Sequence, residues 1–396
     1  MNEQNKKVPT VRFKGFTNDW EQHKLGEVCE KTYSGLTGKN KQDFGHGKAK
    51  YITYLNVHDN AIATTKGVDQ VEIDPKQNEV VKGDLLFTVS SEVPEEVALN
   101  SVWPGTDNNV YLNSFCFGMR PMSKSVNSFF LTYYLRSPQM RRNIYPLAQG
   151  ISRFNISKRG ILSLTINLPN IREQINVYKV IKNIECLVTL QQQKLDLLKQ
   201  LKKGLLQKMF ADKDSKRPVL RFKGFHDDWE QRRLGEVAEI KTGSRNHQDS
   251  VDNGKYPFFI RSEKVERLNE YDFDTKAILV PGDGRIGEIF HYYDGKFALH
   301  QRVYKVDNFK EVNPLYLLNL FKYKFKKHAL RLNAQGTVPS LRLPMFTNWN
   351  ILIPNLNEQQ KIGLFFQQLD SLITLQQRKQ NHLKLLKKSL LQQMFI

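Results

Sequence analysis

Residues 9–30 read PTVRFKGFTNDWEQHKLGEVCE and residues 218–239 read PVLRFKGFHDDWEQRRLGEVAE, with 15 of 22 positions identical. A second pair joins LVTLQQQKLDLLKQLKKGLLQKMF (187–210) to LITLQQRKQNHLKLLKKSLLQQMF (372–395), with 16 of 24 positions identical. Between these ends lie two dissimilar middles, about 31–165 and 240–350. An internal repeat of this kind indicates a duplicated unit rather than a solenoid. Random sequence drift after duplication is the alternative, but it would have to leave the similarity of both ends intact while removing that of the middle.

The repeated tails are predicted to be long helices. Residues 169–174 (PNIREQ) and 354–359 (PNLNEQ) each place an asparagine at the N-cap and a glutamate three residues later, which predicts a capping box. No proline follows until Phe210 or Phe395. About 40 residues at 1.5 Å per residue give a helix of roughly 60 Å, longer than a small domain is wide.

The apolar spacing of these tails alternates between three and four residues, which is typical of a seam between paired helices. An internal pseudo-twofold would make the pair antiparallel. A single amphipathic helix on a globular core is the alternative. The predicted seam residues are Ile184, Leu187, Leu198, Leu201 and Leu205 with Leu369, Leu372, Leu383, Leu386 and Leu390, interrupted by Gln191, Lys194, Gln376 and Lys379.

The middles are predicted to be mixed and rich in strands. Short apolar runs bounded by turn residues indicate strands at 84–89, 113–118, 277–280 and 295–299. A short helix is expected to begin near Asn127 in the first middle and near Asn313 in the second. The predicted fold class is therefore α+β: two strand-rich domains joined by two long helices packed as an antiparallel coiled coil, with an internal pseudo-twofold.

The composition favours a polyanionic partner. Lysine and arginine outnumber aspartate and glutamate by 60 to 40, for a formal charge of +20. Nucleic acid is the first expectation and an anionic membrane surface the second. No apolar run approaches the roughly 18 residues that a membrane helix needs, so no membrane is expected among the partners.

Two acid-free basic stretches occupy equivalent places, just before each long helix. Ala148-Gln149-Gly150 in the first corresponds to Ala334-Gln335-Gly336 in the second. Such stretches suit phosphate contacts, because each cation releases counterions on binding. A solvated helix face is the ordinary alternative for a single basic run. The cations are Arg136, Arg141, Arg142, Arg153, Lys158 and Arg159, then Lys322, Lys324, Lys326, Lys327, Arg331 and Arg342.

Base reading needs side chains with suitable donors and acceptors, arginine for guanine and asparagine or glutamine for adenine. Residue type and loop position select candidates in both middles. They are Ser152, Arg153 and Asn155 in the first, and Arg245, Arg285, Gln301 and Arg302 in the second. With Arg141, Arg142, Lys158, Lys326, Lys327, Arg331 and Arg342 as phosphate contacts, these form the predicted DNA-binding set.

Motifs that suggest an enzyme fail in their context. Residues 282–287 (GDGRIG) match GxGxxG, but an aromatic, strand-like segment follows where a dinucleotide site needs a helix. Asn313-Pro314-Leu315-Tyr316 is similar to the methyltransferase motif Asn-Pro-Pro-Tyr, yet a helix start with Pro at N1 explains it. The sequence contains no P-loop and no HExxH motif. We therefore expect a non-catalytic binding subunit that has no metal site.

Cysteine usage bears on the compartment. Cys29, Cys116 and Cys186 lie far apart and form no CxxC pair. This argues against a disulfide framework and a zinc site, and it fits a reducing, cytoplasmic location.

The repeated Trp-Glu-Gln-x-x-x-Leu-Gly-Glu and Pro-Asn-x-x-Glu-Gln motifs resemble those of specificity subunits of type I restriction–modification systems. The resemblance covers the whole chain, and staphylococcal members look particularly close in the Arg-Phe-Lys-Gly-Phe lead. It implies two target-recognition domains, which read the halves of a split, asymmetric double-stranded DNA site, and a helix pair that sets the gap. The implied domains are 1–170 (lead 9–30, variable 31–165), helix 171–210, linker 211–217, 218–355 (lead 218–239, variable 240–350) and helix 356–396.

The resemblance also implies partners and cofactors. Two modification subunits would methylate adenine with S-adenosylmethionine, and two restriction subunits would hydrolyse ATP with Mg and translocate and cleave DNA. This chain itself would bind no cofactor. A stand-alone, two-headed DNA-binding regulator and a coiled-coil scaffold that does not touch DNA are the alternatives from other classes.

Overall fold

The chain forms two compact units in a computed structural model, which describes residues 8–122, 124–212, 214–333 and 339–396. The first unit comprises residues 1–191 and 379–396, and the second comprises residues 192–378. Each unit therefore contains one variable middle and part of both long helices. The predicted domain boundaries instead kept the helices separate. Ala334-Gln335-Gly336, expected to match the triplet at 148–150, lies outside the described residues.

The first unit is a strand-rich domain. Its helices are α1 Tyr54–Asp59, α2 Ser128–Leu135, α3 Pro138–Ile144, α4 Lys158–Leu162 and the first part of α5, Ile171–Met209. Its strands are β1 Glu21–Lys24, β2 Cys29–Ser34, β3 Phe44–Ile52, β4 Val68–Val71, β5 Leu85–Thr88, β6 Ser90–Ser91, β7 Asn100–Val102, β8 Val110–Leu112, β9 Cys116–Pro121, β10 Phe154–Asn155 and β11 Thr165–Leu168.

The second unit has the same kind of composition. Its helices are α6 Leu234–Val237, α7 Pro314–Leu320, α8 Lys326–Leu332, α9 Leu343–Thr347 and most of α10, Leu356–Gln393. A π-helical segment, Phe321–Phe325, joins α7 to α8. Its strands are β12 Glu230–Arg233, β13 Glu239–Thr242, β14 Tyr256–Phe259, β15 Val265–Leu268, β16 Phe273–Pro281, β17 His291–Leu299, β18 Val303–Asp307 and β19 Asn350–Ile353.

Both units follow one sheet topology. The second has a continuous sheet in the order β13-β18-β16-β17-β14-β15, in which only β17 and β14 run parallel. In the first unit the corresponding strands are divided between two sheets, β2-β9-β5-β7 and β4-β3-β8, again with one parallel pair. In the first unit β7 and β8 together therefore occupy the position in the sheet that β17 has in the second unit. Residues 103–109 interrupt them, and Pro104 there supplies no N–H for a ladder.

The strand predictions for the second middle were correct in type and wrong in extent. The apolar run 277–280 lies inside β16, and 295–299 is the second half of β17. β17 begins four residues before the predicted run and passes through Gly295, which adopts φ 127°. In the first middle, the strand predicted at 113–118 begins only at Cys116.

The repeated Trp-Glu-Gln segments build the same frame in both units. β1 pairs antiparallel with β11, and β12 pairs antiparallel with β19. The Leu-Gly-Glu turns that follow are closed by glutamate: Glu27 accepts the Lys24 N–H at 2.7 Å, and Glu236 accepts the Arg233 N–H at 3.1 Å. The identity of the leads thus reflects one shared scaffold.

Each lead also holds the start of a long helix through a buried ion pair. Arg12 donates to both carboxylate oxygens of Glu173 at 2.7 and 2.8 Å. Arg221 makes the same fork with Glu358 at 2.7 Å for both bonds. Both carboxylates are buried. The arginine of each Arg-Phe-Lys-Gly-Phe segment therefore neutralises a buried carboxylate at the start of a long helix.

The predicted capping boxes are half correct. Asn170 and Asn355 accept the N–H groups of Glu173 and Glu358, each at 3.0 Å, as N-cap residues do. The glutamate side chains bind the lead arginines instead of the N-cap amides.

The glutamine of Pro-Asn-x-x-Glu-Gln joins each long helix to the short helix of its variable middle. Gln174 accepts the Asn127 N–H at 2.8 Å, and Gln359 accepts the Asn313 N–H at 2.7 Å. Asn127 and Asn313 are in turn the N-caps of α2 and α7, as predicted. One motif therefore fixes two helix starts against each other.

Within each unit the two long helices run in opposite directions. In the first unit Glu185 of α5 pairs with Lys387 of α10 at 2.6 Å, while Val177, earlier in α5, shares a core with Phe395, just beyond α10. In the second unit Lys202 pairs with Asp370, while Phe210, just beyond α5, packs on Phe366 with the ring centroids 6.0 Å apart. The predicted antiparallel pairing is confirmed.

The seam between the helices contains six of the ten predicted residues and lacks the other four. The predicted seam residues Leu187 and Leu201 are 51% and 52% exposed, and Leu372 and Leu386 are also exposed. The less exposed positions that keep the heptad spacing are Val177, Ile181, Ile184, Val188, Gln191, Leu195, Leu198, Lys202, Leu205 and Met209 in α5, with Ile362, Phe366, Leu369, Ile373, Gln376, Gln380, Leu383, Lys387, Leu390 and Met394 along and beyond α10. The polar middle is correct for Gln191 and Gln376 and wrong for the exposed Lys194 and Lys379.

Among the described residues, no helix combines the length and apolar character that crossing a membrane requires.

We expect Arg12→Ala to lower the free energy of unfolding of the first unit by about 3–5 kcal/mol, because it leaves the Glu173 carboxylate buried without a counter-charge. Urea unfolding followed by tryptophan fluorescence and circular dichroism measures this. Arg217→Ala is the control, since it breaks the solvent-exposed pair with Asp228 and should change stability little. Equal effects of the two variants would contradict a role for the buried fork.

Candidate nucleic-acid interface

A tight hairpin forms the end of the first variable middle. Gln149 and Asn155 exchange both backbone hydrogen bonds at 2.8 Å, and β10 pairs with β6. Gly150 adopts φ 134°, and a Cβ there would lie 2.1 Å from the Arg153 carbonyl oxygen. Only glycine fits that position, so the hairpin has a fixed shape and presents residues 151–153 at its tip.

The hairpin brings the predicted base-reading residues of the first middle together. Ser152, Arg153 and Asn155 are all exposed. The Arg153 guanidinium lies 5.4 Å from the ring centroid of Phe115 and donates to Ser90 Oγ at 3.3 Å. The ring and the hydroxyl orient the arginine without neutralising it. At the tip, Ile151 is 96% exposed, and it is absent from the sequence candidates because those are all polar residues.

Two arginines of the first basic stretch have structural roles. Arg141, a predicted DNA contact, donates to the carbonyl oxygens of Glu95 and Val97 at 2.7 and 2.6 Å. Arg136 donates to the Asn100 and Val57 carbonyls at 2.5 and 2.9 Å. Burial lowers the pKa of each arginine to about 10. The structure thus gives Arg141 a role different from the predicted one.

The remaining cations of that stretch face outward. Arg142 and Arg159 are exposed. Lys158 is half-buried, with its ammonium 5.8 Å from the Phe117 ring centroid. Arg142 and Lys158 thus stay available as phosphate contacts, on α3 and α4.

In the second middle, Arg245 is held between two carboxylates. It donates to Asp272 at 2.8 Å and to Glu270 at 2.9 Å, and these hydrogen bonds raise its pKa above the ordinary value. Asp272 also accepts the Leu299 N–H at 3.1 Å. The predicted base reader Arg245 is therefore an anchor for the loop around it.

Gln301 and Arg302 lie next to this anchor. Gln301 donates through Nε2 to Asn246 Oδ1 at 2.7 Å, and Arg302 donates to Asp283 Oδ2 at 3.0 Å. Asp283 also binds Arg261 at 3.1 Å. Arg261, Asp283 and Asn246 were missed by the sequence analysis, since their proximity depends on loops that come together only in the fold.

Arg285 and Lys326 share one carboxylate. Arg285 donates to Glu288 and Glu263, each at 2.9 Å, and Lys326 also pairs with Glu288. The Lys326 ammonium and the Arg285 guanidinium lower the pKa of the Glu288 carboxyl. The GxGxxG segment that contains Arg285 connects the antiparallel strands β16 and β17, which confirms a loop rather than a dinucleotide site.

The other three predicted cations surround one cavity. Lys327, Arg331 and Arg342 line a cavity of about 790 Å³ in the second unit, beside the aromatic rings of Trp229 and Trp349. Two residues before Arg342, Ser340 borders a second cavity of about 710 Å³ that Arg302 and Arg261 also line. The segment 339–342 thus connects the phosphate-contact candidates to the base-reading candidates.

The sites of the two units differ in electrostatic character. In the first, the exposed Arg153 rests on an aromatic ring, whereas in the second Arg245, Arg285 and Arg302 are each held by carboxylates. Within the described residues no group of three or more His, Cys, Asp or Glu side chains is arranged to hold a metal ion.

Neighbouring arginines should respond differently to substitution. Arg142→Gln should leave the thermal midpoint unchanged and reduce the slope of log affinity against log salt by about 1, because it removes one phosphate contact. Arg141→Gln should lower the midpoint, since the Glu95 and Val97 carbonyls lose their donor. DNA titrations at several salt concentrations, with thermal melts of both variants, measure this; an unchanged salt slope for Arg142→Gln would remove it from the interface.

Comparisons with known proteins give one consistent family. The sequence profile of the type I restriction modification DNA specificity domain matches residues 17–200 and 226–385, one match for each repeat. The type I restriction enzyme EcoDI specificity subunit of Escherichia coli is 31% identical over 147 residues, which cover 37% of this chain and 31% of that protein.

Two longer matches span nearly the whole chain. A Methanocaldococcus jannaschii protein, whose name assigns it to type I restriction enzyme MjaX as specificity subunit, is 24% identical over 94% of this chain and 92% of its own. The crystal structure of the S subunit from M. genitalium superposes with a TM-score of 0.66 at 16% identity, covering 98% of this chain and 99% of that one.

Proposed function

The chain belongs to the type I restriction modification DNA specificity family, and we propose that each of its two units reads one half of a split, asymmetric double-stranded DNA site. One observation carries this proposal. The same scaffold is built twice, and each copy presents a different set of basic and amide side chains from its variable middle. Shared scaffolds with different loops suit two different half-sites.

The division of labour follows from contact chemistry. The exposed Arg142, Lys327, Arg331 and Arg342 and the half-buried Lys158 would hold phosphates and set the register, since phosphate contacts carry no sequence information. The loops around Arg153 and Arg302 would contact base edges. A stand-alone regulator is not favoured, because the family match covers both repeats together with much of both long helices.

The family assembles with the other components of a restriction–modification complex, and the long helices offer a surface for this. Large apolar side chains are exposed on α5 and α10, which is unusual for helices that face only solvent. The exposed set is Leu187, Leu190, Leu197 and Leu201 with Leu364, Leu372, Leu375, Leu385 and Leu386. Three pairs in these sets, Leu187 with Leu372, Leu190 with Leu375 and Leu201 with Leu386, are related by the internal repeat. We therefore propose that two modification subunits bind there and that two restriction subunits join them.

The chemistry is assigned to those partners. S-adenosylmethionine would be held by the modification subunits, and ATP with Mg by the restriction subunits, while this chain selects the sequence and has no catalytic role. Co-purification tests the assembly: the full chain, co-expressed with its methyltransferase, should elute with it. A chain that elutes alone or only with itself would support the regulator instead.

Exchanging the first variable middle should change one half-site only. We expect a chain whose residues 31–165 come from another family member to direct methylation to a site with one new half and one old half, because the scaffold of the second unit is untouched. Sequencing of methylated adenines in cells that carry the intact system measures this. A change in both halves would refute independent reading.

Lengthening both helices should widen the gap between the half-sites. Seven extra residues in the middle of both α5 and α10 keep the heptad repeat and add roughly 10 Å, or about 3 bp, to a gap expected to place the half-sites roughly 10 bp apart, centre to centre. The half-sites themselves should stay the same. Insertion of the same length in the linker 211–217 is the control. A gap that ignores the helix insertion would reject the helices as the spacer.

A further inference from the structure

We infer that the second unit recognises its half-site with a pre-oriented cluster, in which Arg302 and Arg261 read guanine and the Gln301–Asn246 amide pair reads adenine, with Asp283 as the positioning residue. This inference rests on the proposed function and names the chemistry of one of its two sites. None of Arg261, Asp283 or Asn246 stands out in the sequence.

The cluster has a rigid base. The loop after β17 and the loop after β13 are joined by backbone hydrogen bonds, from Gln301 N–H to the Arg245 carbonyl at 2.9 Å and from Arg245 N–H to the Leu299 carbonyl at 3.2 Å. The Arg245 side chain binds Asp272, which also holds the Leu299 N–H. The side chains of residues 246, 301 and 302 therefore project from backbone that has little freedom.

Asp283 orients two arginines through one oxygen atom. Arg261 Nη1 and Arg302 Nη1 lie 3.1 and 3.0 Å from Asp283 Oδ2. The aspartate side chain is only 15% exposed, whereas Arg261 and Arg302 are 49% and 65% exposed. Within the described residues these are the only side-chain hydrogen bonds of either guanidinium. Each arginine thus keeps donors for a base edge while its direction is fixed.

The amide pair presents a matching edge for adenine. Gln301 Nε2 donates to Asn246 Oδ1, which leaves Gln301 Oε1 as an acceptor and Asn246 Nδ2 as a donor. Adenine offers the complement in the major groove, N7 as acceptor and the N6 amino group as donor. Guanine offers N7 and O6, two acceptors that suit an arginine fork.

The position of the cluster supports access by a ligand. Arg261, Arg302, His247, His300 and Asp283 line the cavity of about 710 Å³ at the surface of the second unit. Asp283 also serves specificity, because its negative charge weakens attraction to phosphates in general. Hydrogen bonds from both arginines to acceptors on a base edge make up for the attraction lost in this way.

Two variants separate reading from simple attraction. Arg302→Lys keeps the charge and loses the planar fork. We expect unchanged affinity for random duplex DNA, an unchanged salt slope, and a loss of about 5- to 150-fold in discrimination at one guanine of one half-site. Asp283→Asn should raise affinity for random duplex while it lowers discrimination in that same half-site.

The assay uses the full chain co-expressed with its modification subunits, with methylated adenines mapped by long-read sequencing and binding measured on cognate and singly substituted duplexes. Arg217→Lys is the matched control, because Arg217 is 60% exposed and paired with a single aspartate outside the variable middles. It should leave the methylated motif unchanged. Thermal melts verify that all variants fold.

The outcomes distinguish this inference from the function on which it rests. If the unaltered complex methylates no bipartite site, the proposed function fails. If it methylates one and both half-sites keep their full discrimination in Arg302→Lys and Asp283→Asn, the cluster does not read bases and the inference is overturned. Relaxation of the half-site that the 31–165 exchange alters would also overturn it, because that half belongs to the first unit.

Discussion

The buried arginine–glutamate fork at the start of each long helix is the constraint on which the scaffold depends. A carboxylate without contact with solvent cannot remain charged at low cost unless a partner meets it with suitable geometry. Arg12 and Arg221 supply that partner from the lead segments, and the neighbouring glutamines tie the same helix starts to α2 and α7. Lead, variable middle and long helix thus meet at one junction in each unit, so the middle can vary while its attachment does not.

Sequence repeats predicted the scaffold well because they are read at the level of whole segments. Helix starts at Asn170 and Asn355, short helices after Asn127 and Asn313, and the antiparallel pairing were all accessible from spacing and capping rules. The seam was accessible only in part: Ile184, Leu198 and Leu205 lie on it, whereas Leu187 and Leu201 do not. In a tail as leucine-rich as this one, Leu187 and Leu201 fit a three- and four-residue alternation as well as Leu195 does, and only packing against the partner helix decides between them.

The interface was less predictable, for a physical reason. Arg141 and Arg142 are adjacent in sequence and identical in type, yet one binds buried carbonyls and the other faces solvent. Likewise Arg245 and Arg302 both occupy loops, but two carboxylates anchor the first, while the second shares Asp283 with Arg261. Residue type indicates what a side chain can bind. Its actual partners here come from segments 19 or more residues away, and a single sequence does not reveal them.

The opposite directions of α5 and α10 also bear on how the protein is synthesised. Met394 and Phe395 complete the core of the first unit, where Phe395 packs on Phe130 and Tyr134 at ring distances of 5.6 and 5.4 Å. The second unit, by contrast, is one contiguous stretch. The first part of the first unit ends at Gln191. At a translation rate of about 5–20 residues per second, the ribosome needs roughly 10–40 s to pass from there to Met394 and Phe395. The first unit therefore starts to leave the ribosome before the second but closes after it, and its unfinished apolar core is what a chaperone would meet on the nascent chain.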